Sequence, residues 1–237
     1  MAVVNLRQSE LASHLESVRA EIAEAALQAN RNPSDITLIA VTKNFPASDA
    51  VLLADLGLRD LGENRSQEAE PKAAEVALLT SREITWHFIG QLQRNKVRTV
   101  LTFADVIHSV DRLSLVETLA AEFDRSGKSP RVLVQINLDQ NSPGRGGVAD
   151  DAFLAVADAI VAAGIRLAGV MAVAPINQEP DRSFERLAVF HEQLLANHPS
   201  AKWRSAGMSG DFQVAIHHGA THLRLGSSIL GSRHLLQ

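Results

Sequence analysis

Lys43 closes the run Ile36-Thr37-Leu38-Ile39-Ala40-Val41-Thr42-Lys43, which is apolar and rich in β-branched residues. Asn32-Pro33-Ser34-Asp35 precedes it and Asn44-Phe45-Pro46 follows. That length and those borders favour a strand, and apolar residues on both alternating faces favour the centre of a parallel sheet. An amine leaving such a strand is poorly solvated, which suits it to Schiff-base chemistry. The ordinary alternative is a lysine that snorkels to water. Two turns late in the chain supply a complementary feature. Gly207-Met208-Ser209-Gly210 runs into a helix beginning near Asp211, and Gly226-Ser227-Ser228 follows the last strand. Small-residue turns with free N–H groups, one at a helix start, form a favoured phosphate site. The simpler alternative is glycine that only relieves crowding between strand and helix.

Other motifs carry less. Asn141-Ser142-Pro143-Gly144-Arg145-Gly146-Gly147 is glycine-rich but lacks the Gly-Lys-Ser/Thr ending of a P-loop. His217, His218 and His222 cluster in sequence, yet adjacent helical positions diverge and no carboxylate is evidently aimed at them, which argues against a metal site. Arg94 and Lys96 read as a solvated helix face, with Lys96 at the rim of the site as the alternative.

The 237 residues suffice for one large domain, and 46% hydrophobic content supports a full core. A formal charge of −4 gives no electrostatic reason to expect nucleic acid or an anionic membrane as partner. With no cysteine, disulfides, thiolate nucleophiles and cysteine metal sites are excluded; tyrosine is absent too. Met1 to Asn30 lacks a basic segment followed by an apolar core, and no run approaches membrane-spanning length. A soluble cytoplasmic protein is expected.

The elements that must position these residues alternate. An amphipathic helix over about Gln8 to Ala29 carries Leu11, Leu15, Val18, Ile22, Ala25, Ala26 and Ala29 at three- and four-residue spacing. After the first strand come a helix from Ala47 to Leu56 ending at Gly57, a strand Leu58–Gly62, and a helix from Ser66 to Leu79. A strand Ile84–Ile89 follows, then Gly90 and a helix through Val100. Asp105 to Val110 is strand, with Asp111 as N-cap of a helix to Arg125. The remaining strands are Arg131–Asn137, Ile165–Val173, Trp203–Gly207 and Leu223–Leu225, separated by helices over Asp150–Ala163, Asp181–Ala196 and Asp211–His218. Eight strands, each followed by a helix or helical turn, predict an α/β fold: a single (β/α)8 TIM barrel with an extra N-terminal helix, one domain over residues 1–237. Active residues of such a barrel gather at the strand C-terminal ends. Here those exits offer Lys43, Glu63-Asn64, His87 with Gly90, Ser109, Asn137, Met171, Met208-Ser209 and Arg224-Gly226-Ser227.

Six segments in this order carry a resemblance. They are Ala40-Val41-Thr42-Lys43, Leu61-Gly62-Glu63-Asn64, Trp86-His87-Phe88-Ile89-Gly90 with Leu92-Gln93-Arg94-Asn95-Lys96, Val170-Met171-Ala172, Gly207-Met208-Ser209-Gly210-Asp211 and Arg224-Leu225-Gly226. Together they resemble the pyridoxal 5′-phosphate (PLP) homeostasis proteins, over nearly the whole chain to Gly231. The resemblance implies a fold like the N-terminal barrel of alanine racemase, with PLP held covalently at Lys43. It also implies a phosphate site at Ser209, beside Met208, with the backbone of Gly226 and Ser227. Arg224 would face the pyridine nitrogen, and Asn64 would lie close to the ring. Two segments depart from the pattern: the loop Asn141–Gly147 is longer than usual, with Arg145 standing where a lysine is common, and Arg204-Ser205-Ala206-Gly207 replaces Leu-Ser-Met-Gly. The first leaves that loop's role in cofactor transfer open.

Two classes of function fit such a barrel. A carrier or regulator of PLP needs a reversible covalent bond, a phosphate cradle and an open mouth, all of which are represented. PLP-dependent apoenzymes are then the partners implied, and changes in amino-acid and keto-acid pools the indirect effect. A single-domain amino-acid racemase of weak activity is the alternative, and it needs an acid/base group on each face of the substrate Cα. In alanine racemases the second group is a tyrosine from another domain; this sequence has none and ends at Gln237 with no room for that domain. His87 is a conceivable substitute that nothing aims at the Cα. A third reading is an unspecialised barrel that binds some phosphate ester. The carrier is expected, as a monomer.

Overall fold

The computed structural model describes residues 2–139, 146–176 and 178–231, with the backbone alone at 2–5. Residues 141–145 of the glycine-rich loop, Arg145 included, lie outside the described residues. Eight parallel strands close in sequence order into a barrel: β1 (Thr37–Val41), β2 (Asp60–Glu63), β3 (Thr85–Phe88), β4 (Val106–Val110), β5 (Arg131–Gln135), β6 (Arg166–Met171), β7 (Trp203–Ser205) and β8 (His222–Leu225). β1 pairs with β8 from Thr37↔His222 to Ala40↔Leu225, which seals the ring. The helices are α1 (Ala2–Gln28), α2 (Ala47–Asp55), α3 (Ser66–Leu79), α4 (Val97–Val100), α5 (Leu113–Ser126), α6 (Phe153–Ala162), α7 (Pro180–Asn197), α8 (Phe212–His217) and α9 (Ser227–Leu230).

α8 and α9 are too short to cover the seam between β8 and β1, and α1 does that work. Its stripe of Leu11, Leu15, Val18, Ile22 and Ala26 is buried, and α1 packs against α8, α9 and α2. Polar contacts fix its height. Arg7 pairs with Asp49 of α2 at 2.7 Å and donates to Leu230 O at 3.1 Å, and Arg31 donates to Ile216 O at 2.8 Å.

The alternation of each strand divides its side chains between two cores. Outward residues such as Leu38, Ala40, Leu61, Trp86, Phe88 and Ile107 pack under the helices. Inside the barrel Val106, Leu133, Ala168 and Met171 form a separate apolar cluster backed by Val173 and Trp203. Beside that cluster and the buried Ile39 of β1, polar side chains fill the interior: His87, His108, Ser205, His222 and Arg224 are all buried there.

Several local expectations need correction. α1 starts at Ala2 rather than Gln8. No helix follows Gly90 directly; a 3-10 turn over Arg94–Lys96 and the short α4 do. Leu92 is fully buried and its carbonyl accepts from Arg112 Nη2 at 2.9 Å, so it is not available to a helix. Asp111 does not cap α5. The N-cap is Arg112, without a side-chain cap bond, while Asp111 pairs with Arg112 and accepts from Gly147 N–H at 3.3 Å. α6 begins at Phe153, because Asp150 is engaged by Arg186.

Burial of imidazoles makes the barrel acid-sensitive. His222 is pushed down to about 3 by burial, with the charges of His87, Arg224 and Arg131 assisting and Asp60 opposing. His108 is lowered well below the usual imidazole value, again chiefly by burial. The unfolded chain therefore takes up protons that the folded barrel refuses. Stability is full above about pH 6.5 and is lost as pH falls toward 3, with His222 alone costing about 2 kcal/mol by pH 5. Denaturant midpoints at pH 7.5 and pH 5 should differ accordingly, and His222→Gln should reduce the difference. Equal midpoints for the parent protein would contradict the assignment.

Candidate functional site

Lys43 leaves β1 through a turn in which Phe45 N–H donates to Thr42 O at 3.0 Å and Asn44 adopts a φ of 65°. That turn is held from below. Lys72 of α3 reaches in and donates to Thr42 O at 2.7 Å and to Glu63 Oε1 at 2.6 Å. Thr42 Oγ1 donates to the same Glu63 oxygen at 2.7 Å. Thr42 and Glu63 are fully buried and Lys72 is nearly so, so the position of residue 43 depends on an ion pair outside the barrel wall.

On the neighbouring exits the backbones of Gly90 and Asn64 touch. A Cβ at residue 90 would lie 2.1 Å from Asn64 O, so only glycine fits. Asn64 Oδ1 is buried and accepts no hydrogen bond from the protein among the described residues.

Across the mouth, Gly207 takes a φ of +92° where a Cβ would come within 2.9 Å of Ala215 Cβ. This lets the chain fold tightly over α8. Asp211 accepts from Met208 N–H at 2.6 Å, and Ser209 Oγ meets Ser228 Oγ at 3.1 Å, which joins the two turns. No hydrogen bond among the described residues uses the N–H of Ser209, Gly210, Gly226 or Ser227. Four backbone donors thus gather on one small surface, an arrangement suited to an anion.

Arg224 of β8 is buried at 4% exposure. Its Nη1 donates to Ser205 Oγ at 2.6 Å and its Nη2 to Ala172 O at 2.8 Å. Burial pulls the guanidinium down to about 10, with the charge of Asp211 opposing, so it remains a cation at neutral pH.

Lys43, Asn64, Met208, Ser209, Arg224, Gly226 and Ser227 all line one cavity of about 750 Å³ at the C-terminal mouth of the barrel. Val41, Phe45, Ile89 and Val173 supply its apolar walls, and Met208, at 37% exposure, stands at its rim. Of the other exits predicted from sequence, Gly90 lines the cavity and the rest do not. His87 and Met171 point into the barrel, and Ser109 is buried. Asn137 Oδ1 accepts from Asp139 N–H at 2.8 Å. Lys96 is absent from the cavity lining. His222 parts from the other two and stacks on Trp203 inside the barrel, whereas the rings of His217 and His218, expected to diverge, meet edge-on at 5.5 Å, and His218 does have a carboxylate, Asp181, at 2.8 Å. Sequence reasoning missed Lys72, His108 and Ser205. Period-two alternation puts His108 on the same face of β4 as Val106, and Ser205 on the same face of β7 as Trp203, residues that the structure places inside the barrel.

Comparisons with known proteins give the family and the fold. Residues 14–234 match the family model for the alanine racemase N-terminal domain. The chain is 42% identical, over 97% of its own length and 95% of the relative's, to a pyridoxal phosphate homeostasis protein of Mycobacterium leprae. It is similar in structure to PipY of Synechococcus elongatus with PLP bound, at 32% identity and a TM-score of 0.79 over 93% of this chain and all of that one. An alanine racemase of Clostridium difficile shares the fold at 14% identity and a TM-score of 0.70, and this chain covers 57% of it.

The buried pair beneath Lys43 generates a stability prediction. Lys72→Met leaves the Glu63 carboxylate buried and unpaired and should cost about 3–5 kcal/mol in chemical denaturation. Adding Glu63→Leu should recover most of that loss. A single-variant cost below about 1 kcal/mol, the size of an exposed pair, would show that the contact does not hold the turn.

Proposed function

We propose, since the chain belongs to the alanine racemase N-terminal domain family and within it to the pyridoxal phosphate homeostasis proteins, that it binds pyridoxal 5′-phosphate at this cavity and acts in the homeostasis of that cofactor. The observation that carries the reading is the grouping, on one cavity, of an amine, an unused cluster of backbone donors and a buried guanidinium. An aldehyde, a phosphate and a ring nitrogen have complementary needs. The cavity lies within the range usual for small-molecule sites.

Lys43 Nζ would bond to the cofactor, and Ser209 with the N–H groups of Gly226 and Ser227 would hold the phosphate. Asn64 and Met208 would flank the ring, and Arg224 would donate to its nitrogen. Bound PLP supplies an aldehyde that condenses with an amine, losing water, and a ring that withdraws electrons from the C=N bond formed. A guanidinium donates a hydrogen bond to the ring nitrogen without giving up a proton, so Arg224 keeps that withdrawal weak. This favours holding and releasing the cofactor over proton abstraction from a bound amino acid. The chain has no tyrosine, and both ring nitrogens of His87 are engaged inside the barrel wall. Neither is free to serve as the second acid/base group that a racemase requires. Every residue named comes from one barrel, which supports a monomer as the working unit. Transfer to PLP-dependent apoenzymes in the cytoplasm belongs to the same reading, with the cavity mouth as the exit.

Two measurements test it. The protein incubated with PLP should absorb visibly, borohydride should fix the cofactor on the peptide containing Lys43, and Lys43→Ala should bleach the band; a protein that stays colourless contradicts the reading. In D2O, amino acids incubated with the loaded protein should gain no deuterium at Cα above the rate with free PLP. Sustained exchange would favour a racemase.

A further inference from the structure

Arg224 is the upper end of a continuous chain of buried hydrogen bonds that crosses the barrel interior. Below it, Ser205 Oγ lies 3.0 Å from His108 Nδ1. His108 Nε2 lies 2.9 Å from His87 Nδ1, and His87 Nε2 lies 2.9 Å from Asp60 Oδ1. Asp60 stands at the start of β2, at the opposite end of the barrel from the cavity, beside a second cleft lined by Arg19, Ser34 and Arg59. Five residues from β2, β3, β4, β7 and β8 thus link the floor of the barrel to its mouth.

With both imidazoles neutral, the two ends leave one consistent assignment of hydrogens. A guanidinium only donates, so Ser205 Oγ accepts from Arg224 and its own hydrogen is free for His108 Nδ1. A carboxylate only accepts, so His87 carries its proton on Nε2 and presents Nδ1 as an acceptor. His108 must then be protonated on Nε2, donating down to His87 and accepting from Ser205. The strong lowering of His108 by burial fits this neutral form.

We propose that Asp60, His87, His108 and Ser205 are a positioning relay that orients Arg224 toward the pyridine nitrogen of the cofactor, with the Asp60 carboxylate setting both imidazole tautomers. This rests on the reading of the cavity as a PLP site. Its physical content is directional. With Asp60 ionised, every bond in the column points down from Arg224, and Ser205 is a full acceptor for the guanidinium. An amide at residue 60 can donate to His87 Nε2, which reverses His87 and His108 and aims an N–H of His108 at Ser205 Oγ. Ser205 then faces two donors, and Arg224 loses its undivided acceptor.

The test has two arms. Nitrogen-15 NMR of the imidazoles in the protein without PLP should show His87 and His108 both neutral and protonated on Nε2 near pH 7. In Asp60→Asn, His108 should move its proton to Nδ1. In the loaded protein, Asp60→Asn should shift the visible band of bound PLP and weaken its affinity roughly tenfold, the size typical when a partner orienting a ligand-holding side chain is lost. Asp60→Glu should restore both. Protonation of His108 on Nδ1 in the parent protein would overturn the proposal, as would unchanged tautomers in Asp60→Asn. Inverted tautomers with an unchanged band and affinity would overturn it equally, since the column would then be scaffold only. A parent protein that takes up no PLP would sink the function proposed for the cavity, and the NMR arm would then decide the relay alone.

Discussion

A guanidinium held inside a barrel, with no carboxylate in contact among the described residues, constrains everything around it. Desolvating an ion without a counter-ion costs several kcal/mol, so its hydrogens need well-placed acceptors. Arg224 finds two neutral ones, Ser205 Oγ and Ala172 O, on strands to one side. The carboxylate that acts on it, Asp211, does so only through its charge and is itself committed to Met208 N–H. The arginine is therefore fixed by geometry more than by charge, and it keeps donors to spare at the cavity. Around it the interior is divided, with an apolar cluster from β4 to β7 and three buried histidines, His87 of β3, His108 of β4 and His222 of β8.

The mouth follows the same logic in its outer parts. The groups that could contact a ligand are set by their neighbours. Lys72 and Glu63 fix the turn that carries Lys43. Gly90 allows the Asn64 backbone to approach, and Gly207 folds its turn onto α8. The Ser209–Ser228 contact brings two sets of backbone donors together. β1 and β8, which lead to Lys43 and carry Arg224, pair side by side, and α1 covers that seam by packing on α8, α9 and α2.

The barrel was legible in the sequence because its signals are local. Strand and helix periods alternate eight times, and the strand exits follow from counting. Lys43, Ser209, Arg224 and the two glycine turns stood out because a cation or a bare turn at a strand end has few structural reasons to be there. What stayed hidden depends on contacts between distant segments. Lys72 reads as one more charge on an amphipathic helix until Glu63 and Thr42 are seen beneath it. The histidine column needs the register between β3, β4 and β7, which no single strand encodes. The helix expected after Gly90 failed for the same reason, since Arg112, twenty residues on, takes the carbonyl it required.

The most direct measurement is a crystal structure of the protein grown with PLP. The account predicts density continuous with Lys43 Nζ, the phosphate among the N–H groups of Ser209, Gly226 and Ser227, and the ring nitrogen within hydrogen-bond distance of Arg224. Cofactor bound with its phosphate elsewhere, or with its ring nitrogen turned from Arg224, would contradict it.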